Sequence, residues 1–378
     1  NSYIEPTSPI ILLLSAMHLL LYGYLLYTLY RVFWKEEIRI WEPWQENNST
    51  METVTEPESP SGERRMTGRD WALAGIVTVA YAVLGFWCLG SNTMPVTTWA
   101  PEVGESVTVS LSEEGGTLRY LPGLTVPVKG QAAHTGVDVL VEASGDGTQW
   151  VQAGSLTDDS VFAWQEFALP EGTYYLRLTA SSGTPVLNEI AVTSLDGQSL
   201  LPLTLMEGQG EALLAEQEAV PLYPTWYDST YFDEIYHART AYEHLLGAEP
   251  YENTHPTLGK LIMSIGIVLF GMNPFGWRFM GALLGVLMLP ILYHLTKRLF
   301  GKTWLALAGT LLFALDFMHF TQTRIATIDT YAVFFLLLMY DTMLCFCQQD
   351  LRGAPMKKLL LPLLLCGVFT GLGIASKW

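Results

Sequence analysis

The residues with the clearest chemical potential lie between positions 223 and 278. Tyr223-Pro224-Thr225-Trp226-Tyr227-Asp228 leads into Tyr231-Phe232-Asp233-Glu234-Ile235-Tyr236-His237-Ala238-Arg239. Adjacent acids among aromatics, just before an apolar stretch, suit proton transfer: a carboxylate in partly dry surroundings has a raised pKa and serves as a general base. His255-Pro256-Thr257-Leu258-Gly259-Lys260 follows, then Asn273-Pro274-Phe275-Gly276-Trp277-Arg278. Further on stand Thr323-Arg324-Ile325-Ala326-Thr327-Ile328-Asp329 and, at the end, Lys377. Arg278 and Arg324 are suited to holding an anion. Each residue also has a plainer reading. Asp233-Glu234 could open a helix and meet its dipole. The arginines could anchor helix ends by snorkelling. Asp329 could cap a helix or pair with Arg324, which is the role expected of it here. His237 and His244, seven apart, could join His255 or Glu234 at a metal, but the spacing is not diagnostic and no metal site is assigned.

Two kinds of material must position these groups. Half of the 378 residues are hydrophobic and 15% are charged, with mean hydropathy +0.26. Residues 9–34, 71–90 and those beyond about 279 are apolar, whereas 92–260 are acidic and rich in Gly, Thr and Ser. This is the composition of a membrane protein carrying one soluble domain. The net charge of −17 and the six Lys or Arg residues within 92–278 disfavour nucleic acid as a partner. Cys88, Cys345, Cys347 and Cys366 all lie in apolar spans, so no disulfide framework and no zinc spacing is expected in the soluble region. The chain begins with Asn1 and stops at Trp378 within an apolar segment, and is expected to be a piece of a longer protein.

Crossing about 30 Å of hydrocarbon takes roughly 20 apolar residues. Segments 9–33, 71–90, 279–296, 303–320 and 330–347 qualify or nearly do, and a sixth starts near Leu359. Basic residues cluster at alternate loops: Arg31 to Arg69, Lys297 to Lys302, and Arg352 to Lys358. The excess of positive charge on cytoplasmic loops places 35–70, 297–302 and 348–358 in the cytoplasm, and 91–278 and about 321–329 outside. The acid pair, both arginines and Asp329 then share one membrane face, and charge gathered there is a functional-site signal.

The expected domains are an extra N-terminal transmembrane helix (1–34), a disordered cytoplasmic linker (35–70), a transmembrane helix (71–91), an extracytoplasmic β-sandwich (92–205), an extracytoplasmic loop with the acid pair and amphipathic helices (206–278), and further transmembrane helices (279–378). The sandwich is read from alternation such as Val107-Thr108-Val109-Ser110-Leu111 and Tyr174-Tyr175-Leu176-Arg177-Leu178, punctuated by Asp146-Gly147 and Ser182-Gly183. VEASGDGTQWVQAGSL, TYYLRLTASSG and VLNEIAV resemble the discoidin or galactose-binding jelly roll. Such modules often bind glycans, and Trp150, Trp164 and Tyr174 are the candidate sugar-stacking platform. A spacer or regulatory role is the alternative.

FDEIYHARTA, HPTLGKLIM, NPFGWRFMGALLG, the RIATIDT run and the closing GIASKW resemble the N-terminal half of protein O-mannosyltransferases, glycosyltransferase family 39 of the GT-C superfamily. The resemblance covers residues 71–90 and 223–378. It implies a polytopic α-helical membrane fold of about six transmembrane helices, here interrupted by the β-sandwich, with the family's catalytic Asp on Asp233. It further implies transfer of a mannosyl or other hexosyl residue from a polyprenyl-phosphate donor to a hydroxyl, with inversion, on the outer face of what is read as a bacterial plasma membrane. Asp233 or Glu234 would be the base, while Arg278, Arg324, His255 and Lys377 would meet the donor phosphate. Asp329, Trp277 and Lys260 would support the site. The expected partners are the lipid-linked donor, a protein or glycan acceptor and the membrane, and a dimer is compatible with the family. No firmly bound cofactor is expected, and a divalent metal is left open. The competing readings are a membrane-tethered glycan-binding protein acting through the jelly roll, and the same chemistry on a lipid or wall-polymer acceptor.

Overall fold

Helix α1 (Gly68–Phe86) begins at a reciprocal cap. Thr67 Oγ1 accepts from the Asp70 N–H, and the Asp70 carboxylate accepts from the Thr67 N–H at 2.9 Å. The computed structural model describes residues 64–124, 138–157, 160–349 and 355–377. The expected first span, most of the linker and Trp378 lie outside the described residues. After α1, a stretch without regular structure leads into eight strands: β1 (Ser106–Leu111), β2 (Gly115–Pro122), β3 (Asp138–Ser144), β4 (Val151–Thr157), β5 (Gln165–Ala168), β6 (Tyr175–Ala180), β7 (Leu187–Ser194) and β8 (Leu203–Glu207). Then come α2 (Glu234–Leu246), α3 (Leu258–Phe270), α4 (Pro274–Phe300), α5 (Thr303–Ala314), α6 (Phe317–Thr323), α7 (Asp329–Cys347) and α8 (Met356–Ser376).

The strands form two antiparallel sheets, ordered β4-β3-β6-β1-β8 and β5-β2-β7. Alternate residues of β1 (Val107, Val109, Leu111) and β6 (Leu176, Leu178) face Leu118, Ile190 and Val192 of the smaller sheet across one apolar core. The two-residue period of a half-buried strand produces this arrangement. β7 is buried along its whole length, since it packs on the core with one face and under the 211–219 segment with the other.

Four described helices, α1, α4, α7 and α8, are long and apolar enough to cross a membrane. The expected span 303–320 is instead two helices, α5 and α6, bent by 58°. The break falls at Asp316, whose carboxylate caps α6 by accepting the Met318 N–H at 3.0 Å. Counted as one span, this pair makes a fifth. The span expected at 279–296 is longer, because Asn273 caps α4 and Pro274 occupies its first turn. At 27 residues, α4 extends about 40 Å. It is the shared wall against which α1, α3, α5 and α7 pack.

α3 has 13 apolar-rich residues, too few to cross. Gly266 lets it lie close against α4, for a Cβ there would fall 2.3 Å from the Gly276 carbonyl oxygen. Its other face leaves Val268 and Leu269 exposed. Residues 84–92, 226–234, 273–278 and 324–329 all gather at one end of α4. Asp70, Lys297 and Thr303 meet at the other.

Candidate active site

The strongest polar junction lies where α2 begins. Glu234, fully buried, accepts from Arg278 Nε at 2.7 Å and from Nη2 at 2.6 Å in a fork-on-fork pair. Its carboxylate also accepts the Ala326 N–H at 2.8 Å and the Tyr231 N–H at 2.8 Å. One side chain therefore joins α2, α4 and the α6–α7 loop. Arg278, 4% exposed, directs its remaining reach to backbone carbonyls: Leu89 (3.1 Å), Trp226 (2.9 Å) and Ser229 (3.0 Å). A buried ion pair this fully hydrogen-bonded is costly to break from either side, on the order of 3–5 kcal/mol.

Asp233, the preceding residue, is its opposite. It occupies the N-cap position of α2 yet makes no side-chain capping bond. An aspartate there ordinarily accepts a backbone N–H two or three residues on. Among the described residues its carboxylate has no hydrogen-bond or ion-pair partner, and it is half-buried. Phe232, just before it, holds φ at +54°, a left-handed conformation rare for an aromatic residue, with its ring exposed. Trp226 stacks on Tyr231 at 4.7 Å. The pair that looks symmetrical in sequence is thus divided: Glu234 is committed to the protein, and Asp233 is left uncommitted beside an aromatic rim. A third carboxylate, Asp228, lies near; burial raises its pKa, opposed by bonds from Thr225 and by nearby Arg278.

The remaining candidates fall into separate groups. Lys260 is buried and ion-paired to Glu252, and it donates to the Glu252 carbonyl at 2.7 Å. Burial pushes the Glu252 carboxyl up, but hydrogen bonds from Lys260 and Thr254 outweigh this and bring it to about 2. His255 lies 6.2 Å from His237, ring to ring, and its Nδ1 has no hydrogen-bond partner among the described residues. Burial lowers the His237 pKa to about 4, leaving that ring neutral near pH 7. Arg239 and Glu243 form a buried i,i+4 pair, with Arg239 also stacked on Tyr251 at 4.2 Å. Trp277 is fully buried in the cluster with Met263, Ile328 and Tyr331. No group of three or more His, Cys, Asp or Glu side chains among the described residues is arranged to hold a metal ion.

Two expected contacts are corrected. Asp329 does not pair with Arg324. It meets Lys377 at 2.5 Å, because the end of α8 lies beside the start of α7. Lys377 is therefore paired with a carboxylate, and both side chains are partly exposed. Arg324 instead donates to the carbonyls of Leu84 (3.1 Å), Trp87 (2.7 Å) and Cys88 (2.8 Å), with its guanidinium over Phe320. The unwound end of α1 supplies those acceptors. Nor do Trp150 and Trp164 share one platform. Trp150 lies under Arg177 at 4.4 Å, whereas Trp164 packs into the cluster between the sandwich and α2. Sequence reasoning missed Glu252, Asp228 and the contacts of residues 160–164 with 229–230. The Arg239–Glu243 pair was missed as well, and its i,i+4 spacing carried a local signal.

Residues 259–378 match the family described as dolichyl-phosphate-mannose-protein mannosyltransferase. The chain is 34% identical over 120 residues to the polyprenol-phosphate-mannose--protein mannosyltransferase of Mycobacterium tuberculosis (strain CDC 1551 / Oshkosh), covering 30% of this chain and 23% of that protein. A relative of the same name from Mycolicibacterium smegmatis (strain MKD8) is 30% identical over 177 residues, 41% of this chain and 34% of its own length. Another, from Corynebacterium glutamicum, is 32% identical over 82 residues, 22% of this chain and 16% of that protein. The chain thus spans between about a sixth and a third of the length of these curated relatives. No solved structure matches it. The resemblance read from HPTLGKLIM, NPFGWRFMGALLG and RIATIDT is shown over the matched residues.

Proposed function

We propose that this chain carries the catalytic base of a membrane glycosyltransferase that moves a mannosyl residue from a polyprenyl-phosphate donor to a hydroxyl, with protein Ser or Thr as the acceptor. The observation that carries this reading is the division of labour at the start of α2. Asp233 is uncommitted, while Glu234 next to it is held by Arg278 and two backbone N–H groups. The relatives' printed names supply the donor and the acceptor class.

In the proposed step the acceptor oxygen attacks the anomeric carbon and Asp233 takes its proton. The bond from that carbon to the phosphate oxygen breaks, and polyprenyl phosphate leaves with the electron pair. One displacement inverts the centre. A phosphate is already a good leaving group, so a charge stabiliser suffices and no acid is required. Arg278 has its guanidinium committed to Glu234 and three carbonyls, and Lys377 is paired with Asp329. Arg324 also donates to three carbonyls, but among the described residues no carboxylate neutralises it, so of the four residues expected at the donor phosphate Arg324 and His255 keep that role in the proposal. Glu234 becomes a positioning residue rather than an alternative base.

The proposal places this end of α4, and the β-sandwich with it, on the extracytoplasmic face of a bacterial plasma membrane, following the basic loops. The sandwich, read as a jelly roll, is not assigned sugar binding, since Trp150 and Trp164 lie in different surroundings. The test is sugar transfer by the full-length protein in membranes, with radiolabelled polyprenyl-phosphate-mannose and Asp233→Asn beside wild type. Loss of transfer by on the order of 10²–10⁴, with normal insertion, is expected of a removed general base. Transfer that survives the substitution overturns the role of Asp233. Label appearing in lipid or wall polymer, rather than protein, moves the acceptor and keeps the chemistry.

A further inference from the structure

We propose that the β-sandwich is a working part of this active site, and that Phe162, in its β4–β5 connection, is a positioning residue for Asp233. The inference rests on the reading of Asp233 as the base. A tether or spacer needs only its two chain ends joined to the rest of the protein. Here an internal loop of the sandwich grips the catalytic segment. The Phe162 carbonyl accepts the Thr230 N–H at 3.0 Å, and the Val161 carbonyl accepts from Thr230 Oγ1 at 3.2 Å. The Trp164 N–H donates to Ser229 Oγ at 3.1 Å.

Phe162 itself is in the left-handed region at φ +60° and 4% exposed. A bulky side chain in that region marks a backbone that its surroundings hold in place. What holds it is visible on both sides. Its N–H donates to the Pro122 carbonyl at 2.9 Å, and its ring meets Tyr242 of α2 edge to face at 6.0 Å. Val161, Phe162, Leu121 and Leu124 of the sandwich share one apolar cluster with Ala238 and Ala241 of α2.

The gripped segment is held again from below. Arg278 on α4 takes the carbonyls of Trp226 and Ser229. Residues 226–230 are thus clamped between the sandwich and the membrane helices. Asp233 follows three residues after Thr230, through the strained Phe232. Neither half of the protein fixes that segment by itself. An error of about 1 Å at a reacting group costs on the order of 100-fold in rate, so a clamp of this kind has kinetic consequences.

The test uses the full-length protein in membranes, with kcat and donor KM measured for wild type, Phe162→Ala, Phe162→Leu and Thr230→Val. Thermal melting of each purified protein gives its stability separately. We expect Phe162→Ala to lower kcat tenfold or more while donor KM stays within about twofold, with Phe162→Leu recovering part of the loss. Thr230→Val, which deletes one buried hydroxyl contact at nearly constant volume, should lower kcat severalfold with a melting temperature only a few degrees lower. Should Phe162→Ala fail to fold, Thr230→Val decides. An active wild type whose folded variants keep wild-type kcat overturns this inference alone. Variants that change only KM overturn it too, and assign the loop to substrate binding. A wild type with no transfer overturns the reading of Asp233 and this inference with it.

Discussion

The two ends of α4 each carry a buried ion pair, and they differ in what is left over. At the end far from the sandwich, Lys297 lies 3.4 Å from Asp70 and donates to Thr303 Oγ1 at 3.0 Å. Asp70 is completed by Thr67 and by Tyr293, whose hydroxyl donates at 3.1 Å. Every group there has a partner, and the cluster serves to pin α1 and α5 to α4. At the opposite end Arg278 and Glu234 are equally satisfied, but Asp233 beside them is not. Aromatic rings and a strained backbone surround that one residue. Buried charge alone therefore does not separate the two ends. The proposed base is the carboxylate left unpaired next to one of the two junctions.

Breaking each junction in turn sharpens the contrast. The largest effect is expected from Glu234→Gln, which leaves Arg278 buried without its counter-charge and should cost roughly 3–5 kcal/mol. A lowered melting temperature and loss of transfer should appear together, because the same residue orders Asp233. Lys297→Met at the far end should be milder, about 1–3 kcal/mol, since Asp70 keeps its hydrogen bonds to Thr67 and Tyr293. Transfer per folded molecule should be unchanged there. If transfer falls in proportion to that seen in Glu234→Gln, the two ends are not functionally distinct.

A smaller effect concerns the sandwich. Glu189 on β7 is fully buried and accepts from the Glu216 N–H at 2.9 Å and from Gln217 Nε2 at 2.5 Å. Burial nonetheless raises its pKa from 4.5 to about 7. The folded state then binds a proton that the unfolded state releases. Its contribution to stability is complete below about 4.5 and is lost as pH rises through about 7. Melting of the wild type should fall across that window, and Glu189→Gln should flatten the dependence. An unchanged slope in the variant would assign the pH effect to another group.

Much of this architecture was legible because its signals are local. Val107, Val109 and Leu111 announce a strand by alternation, and Asn273-Pro274 announces a helix start. The acid pair stood out because charge among aromatics is unusual. What could not be read was which acid is bound up within the protein, since the answer depends on Arg278, 44 residues away, and on the Ala326 N–H, 92 residues away. The same holds for Asp329. Arg324 is near in sequence, but the partner is Lys377, brought in by the packing of α8 on α7. The break at Asp316 was hidden because the apolar composition continues across it.

The sandwich enters the chain after α1 and leaves it before α2, and its two ends almost touch. The Ser91 N–H donates to the Tyr227 carbonyl at 2.8 Å, and the Ser91 carbonyl accepts from Phe275 at 2.9 Å. Some 135 residues thus depart and return through a single doorway. An insert whose ends coincide can be gained or shed in one event without moving the flanking helices. A glycine or two would bridge the doorway. Topologically this module is detachable, while its grip on the 226–230 segment ties the helical site to it.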